Sequence, residues 1–76
     1  MLSDTEQAIL DLERLRWKYA SAKEERALVE LGLTPTRYHQ ALMALIDNPE
    51  AEAADPLLVR RLRRLRDARR RQRSSR

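Results

Sequence analysis

Apolar positions recur at helical spacing along most of the chain, and no stretch alternates as a strand would. At about 100° per residue, Ala8, Ile9, Leu12, Leu15 and Tyr19 share one arc, and Leu10 and Trp17 gather on the opposite side. Ser3 and Glu6 stand at capping-box spacing just ahead of this pattern, with Leu2 placed for a staple. The pattern predicts a first helix over 4–20. A helix apolar on two sides is buried between layers, or between its own domain and a partner.

A second helix is predicted over 22–31, with Ser21 as N-cap, Glu24 completing a capping box, and Ala27, Leu28 and Leu31 inward. Gly32 ends it in the left-handed conformation that glycine adopts cheaply. Leu33 then returns to the core, Thr34 caps the next helix, and Pro35 occupies its first position, where a missing N–H costs nothing. That third helix is predicted over 35–47. Its apolar face is Tyr38, Ala41, Leu42, Leu45 and Ile46; the opposite face is Thr36, His39, Gln40, Met43 and Asp47, with Arg37 on the flank. "NPEAEAADP" (48–56) reads as a connector able to add a helical turn. Asp55 and Pro56 open a fourth helix over 56–71, with Leu58, Leu62 and Leu65 as a narrow stripe that docks on the bundle, over Leu10 and Trp17. The expected fold is all-α: a three-helix helix-turn-helix core over 1–66 with an additional basic C-terminal helix, and a frayed basic tail over 67–76.

Composition sharpens this. Seventy-six residues make one small domain with a marginal core, and no cysteine is present to staple it. The net charge of +4 hides a strong asymmetry. Residues 1–56 carry six basic and eleven acidic side chains, whereas residues 57–76 carry ten arginines and one aspartate. Such a segment is expected to bind a polyanion by charge rather than by sequence. Neutralising roughly five phosphates would give a log–log salt slope near −4.5. A membrane surface fits poorly, because the apolar stripe is three leucines wide and carries no aromatic. The longest apolar run, "ALMALI", is far too short to span a bilayer, and the acidic N-terminus does not read as a targeting peptide. A cytoplasmic, nucleoid-associated protein is expected.

The stretch "GLTPTRYHQALMALID" (32–47) carries the sharpest functional signal. A DNA-reading helix-turn-helix needs a short turn, an apolar anchor, and a second helix offering its N-terminal half to the major groove. A plain helical bundle could use the same turn. What separates the two is the outward face, which lacks acids until Asp47. Gln40 can bond bidentately to adenine, and Thr36 and Arg37 can reach phosphate or base edges. The free N–H groups at Thr34 favour a phosphate, and Met43 offers a methyl contact. The expected recognition residues are Thr34, Thr36, Arg37, His39, Gln40 and Met43. Arg60, Arg61, Arg63, Arg64, Arg66, Arg69, Arg70 and Arg71 are expected along the DNA backbone. One such motif reads few base pairs, so a homodimer or cooperative array is expected, with Leu10 and Trp17 as its surface if the fourth helix leaves them uncovered.

An enzyme is not expected: the chain has no Gly-rich phosphate loop, no nucleophile paired with a base, and little volume to enclose a substrate. His39 is the single histidine and has no cysteine partner, so neither metal nor cofactor is expected.

The motifs "LSDTE" (2–6), "WKYASAKE" (17–24), "LTPTRY" (33–38), "LIDNPEA" (45–51) and "ADPLLVRRLRRLR" (54–66) carry a resemblance. Over nearly its whole length the chain resembles a group of small actinobacterial proteins of unassigned function with a sigma-factor-like or repressor-like helix-turn-helix. The resemblance implies double-stranded DNA binding through Arg37, Gln40 and their neighbours. It supplies no target sequence. The leading expectation is a small transcriptional regulator or a phage- or nucleoid-associated accessory factor. The alternative is a protein-interaction adaptor docking on RNA polymerase or another regulator.

Overall fold

The computed structural model describes residues 1–74. Five helices follow one another: α1 (Asp4–Arg14), α2 (Ala20–Leu31), α3 (Pro35–Leu45), α4 (Pro49–Ala54) and α5 (Pro56–Ser74), with no strand among the described residues. The fold is all-α. Helices α1, α2 and α3 pack on one another, and α4 packs against α5. One core joins them: Ile9, Leu10 and Leu12 from α1, Ala27 from α2, Tyr38, Leu42 and Leu45 from α3, then Ile46, Ala51, Leu58 and Val59.

Local chemistry sets most helix starts. Ser3 and Glu6 form the reciprocal capping box, with Ser3 N–H donating to Glu6 Oε1 at 2.9 Å and Glu6 N–H to Ser3 Oγ at 3.1 Å. Thr34 Oγ1 accepts from Arg37 N–H at 3.3 Å, and Asp55 Oδ1 accepts from Leu58 N–H at 3.3 Å. Gly32 ends α2 at φ 66°, while Leu33 N–H reaches back to Ala27 O at 3.4 Å. That six-residue closure satisfies carbonyls that the helix end would otherwise leave open.

The boundaries differ from the sequence pattern in instructive places. Helix α1 stops at Arg14, where the pattern continued to 20. The Trp17 side chain explains how: its indole Nε1–H donates to Leu12 O at 2.7 Å, taking a carbonyl that a further helical turn would have used. Leu15 and Tyr19, expected inward, are left exposed. Helix α2 starts at Ala20, with Tyr19 as an N-cap that makes no side-chain bond, so Ser21 lies inside the helix and its predicted capping box is absent. Leu28 is exposed, leaving Ala27 as the buried residue of α2.

Helix α3 closes at Leu45 rather than 47, with Ile46 as C-cap, and the connector folds as the short helix α4, capped by Asn48. Helix α5 continues to Ser74, three residues past the predicted end and through most of the expected tail. Each added residue in a formed helix closes one more hydrogen bond, so a helix already nucleated on the core propagates readily. For residues 75 and 76 the expected fraying lies outside the described residues.

The two-sided α1 also resolves. Leu10 is fully buried and Trp17 is half-buried against the same core, so neither forms the exposed self-association surface that the sequence suggested. The apolar stripe of α5 docks through Leu58 and Leu62, but Leu65 is exposed.

Candidate functional site

Helix α3 is held from below by a polar cluster within the apolar core. Glu13 is buried on α1. Its Oε2 accepts from Tyr38 Oη at 2.6 Å and pairs with Lys23 Nζ at 2.9 Å. Lys23 also lies 5.8 Å from the centre of the Tyr38 ring, within cation–π range. Burial, then the hydrogen bond and charge of Glu13, push the Tyr38 phenol up from its ordinary pKa, so it stays a donor. A buried carboxylate with two donors avoids the cost of an unpaired charge and fixes α1, α2 and α3 to one another. Nothing in the sequence pattern pointed to it.

With Tyr38, Leu42 and Leu45 inward, α3 presents Thr36, Arg37, His39 and Gln40 to solvent. Thr34 is exposed too, with its hydroxyl oxygen used in the cap. Met43 departs from expectation. It is half-buried against the core and lines a groove, so it stands on the edge of the exposed face and not in its middle. Six expected recognition residues thus divide: Thr36, Arg37, His39 and Gln40 lie together in the open, Thr34 is a cap at their N-terminal end, and Met43 is partly covered.

The groove has a volume of about 450 Å³ and separates α3 from the C-terminal half of α5. His39 and Met43 line one wall, and Arg66, Arg69, Arg70 and Arg73 line the other. These arginines follow the helical arc of Val59 and Leu62, which pack on the core. One face of α5 therefore changes from apolar to basic as the helix leaves the core.

The eight arginines expected along DNA do not form one class. Arg63 Nε–H donates to Ile46 O at 2.6 Å, placing a cation at the C-terminal end of α3, and its Nη1 pairs with Glu52 Oε2 at 3.3 Å. Arg66 Nη1 lies 2.9 Å from both Asp47 oxygens, and Arg60 pairs more loosely with Glu52 at 3.5 Å. At the start of α5, Asp55 accepts from Arg14 Nε–H at 2.7 Å. The Arg66 hydrogen bond holds the Asp47 carboxyl below its usual pKa, and that of Arg14 does the same for Asp55. Arg60, Arg63 and Arg66 thus seat α5 on the acidic first half of the chain. By contrast, Arg61, Arg64, Arg69, Arg71 and Arg73 make no ion pair with an acid among the described residues.

Among the described residues no group of acidic side chains and His39 comes together to hold a metal ion, and no helix is long and apolar enough to cross a membrane. Neither the curated proteins nor the solved structures contain a match to this chain. The family described as "Protein of unknown function (DUF3263)" matches residues 1–74, and the chain belongs to that family.

Proposed function

We propose that this is a small DNA-binding helix-turn-helix protein that presents α3 to the major groove and the groove-lining side of the basic half of α5 to the adjacent backbone. The observation that carries the reading is a juxtaposition: His39 and Met43 of α3 share one groove with Arg66, Arg69, Arg70 and Arg73, and Thr36, Arg37 and Gln40 extend the exposed surface of α3 beyond it. The three-residue turn Gly32–Leu33–Thr34 joins α2 to α3 with the length such a motif uses. Gln40 reads adenine, Arg37 reads guanine or phosphate, and the α3 N-terminus favours a phosphate. Arg69 and Arg73 supply charge without base preference. A role in transcription or nucleoid organisation follows from that chemistry.

Selection from a random duplex library at physiological salt tests the reading. A defined enriched motif, lost in the Arg37→Ala and Gln40→Ala proteins, supports it; no enrichment, or an unchanged motif in those variants, contradicts it. The adaptor reading has one favouring observation, the exposed Leu28 and Val29 side by side on α2. It predicts capture of RNA polymerase or another regulator that survives nuclease and high salt.

A further inference from the structure

The arginines of α5 without acidic partners do not all face the groove. At about 100° per residue, a first set, Arg61, Arg64 and Arg71, spans one side of the helix; Arg64 and Arg71 lie about 140–180° from a second set, Arg69 and Arg73, and Arg61 lies about 80–120° from it. The second set lines the groove beside α3. The first set is exposed, with Leu57 at its N-terminal end. Arg61 and Arg64 gather there with Arg14, which Asp11 and Asp55 already hold. The only acid of α5, Asp67, is engaged by Arg66 at 3.2 Å.

We propose that this outer face holds a second duplex, so that one molecule bridges two DNA segments. The proposal rests on the duplex-binding reading above. From Arg61 to Arg71 the helix rises about 15 Å, against a duplex carrying one charge per about 1.7 Å of axis. A helix with its side chains is about 10–12 Å across, so α5 stands between the two faces. Its inner half is seated on the core by Leu58 and Val59, which keeps a duplex on α3 away from Arg61 and Arg64. Two binding faces with the body of the protein between them suit two polyanions. Among the described residues no acid forms an ion pair with Arg61, Arg64 or Arg71: Asp55, whose charge reaches Arg61, is paired with Arg14, and Asp67 with Arg66.

The test immobilises one random-sequence duplex on beads, adds the protein, and measures retention of a second, fluorescent random-sequence duplex. The wild-type chain retains it. The R61Q/R64Q/R71Q protein should lose that retention at least about tenfold, because its outer contacts are electrostatic. Affinity for a single duplex should change within about threefold, since screening over about 8 Å isolates the groove side. R61K/R64K/R71K keeps the charge and should restore retention, which separates the effect from misfolding. Wild-type protein that retains no second duplex overturns the proposal. Equal retention by the glutamine variant also overturns it, because bridging would then come from a dimer or from another surface. Motif enrichment and retention are read separately: loss of the motif in Gln40→Ala with retention intact concerns α3 alone, and the reverse concerns the outer face alone.

Discussion

The two halves of α5 share a helix and an abundance of arginine but differ in what their inward side meets. From Pro56 to Arg66 the inward positions are Leu58, Val59 and Leu62 on the core, while Arg63 and Arg66 reach the end of α3. Beyond Arg66 the same side carries Arg69 and Arg73 into the groove. In the first half, arginine acts as a structural clamp on nearby acids. In the second half Arg69, Arg71 and Arg73 form no ion pair with an acid among the described residues. Counting arginines along the sequence cannot separate these jobs; the acids they reach can.

The largest effect should come from breaking the inner half. Leu58→Ala removes a buried side chain and should cost about 2–4 kcal/mol, lowering the melting temperature by about 4–8 °C for each kcal/mol. Arg69→Ala in the outer half should stay within about 0.5 kcal/mol in the same thermal melt. Next is Tyr38→Phe, which leaves buried Glu13 with Lys23 alone and should cost about 1–3 kcal/mol. Because Tyr38 also lines the groove, this variant tests whether the base of the groove belongs to the fold.

Gly32→Ala should cost about 1–2 kcal/mol, all of it from holding a side chain at positive φ. A Cβ there meets nothing within 4 Å, so a larger loss would mean that the turn does more than redirect the chain.

The smallest effect concerns pH. Asp47 and Asp55 are ionised partners of Arg66 and Arg14, each held below its usual 3.8. Their stabilisation is present above that value and is lost as pH falls through the lower folded-state pKa. Melting temperature should therefore decline on acidification below about pH 4, and Asp47→Asn should flatten part of that decline. The acid-induced loss should appear as loosening of α5 before the rest, read by amide exchange at Leu62 and Arg63.

Most caps were legible in the sequence because each involves residues only a few positions apart, although the Ser21–Glu24 spacing predicted a box that α2 does not form. Ser3 with Glu6, Thr34 with Arg37, and Gly32 at its turn stand where the spacing put them. The all-α class and the open face of α3 at Thr36, Arg37 and Gln40 followed from helical periodicity alone. Long-range contacts stayed hidden. Tyr38 and Glu13 are 25 residues apart, Arg14 and Asp55 are 41 apart, and nothing in either neighbourhood names the other. Trp17 misled the periodicity, since its position fits a continuing helix while its indole ends one. Leu10, opposite the main arc, left two readings open, burial under the C-terminal helix or self-association, and it is buried in one core with residues of α4 and α5.

The division of labour within α5 is tested most directly by the R69Q/R73Q protein, with thermal stability and salt-dependent duplex binding measured on the same sample. That protein should keep its melting temperature, bind every duplex sequence more weakly, and show a log–log salt slope shallower by about 1.8 for the two lost phosphate contacts. A large drop in melting temperature, or an unchanged affinity and slope, would contradict it.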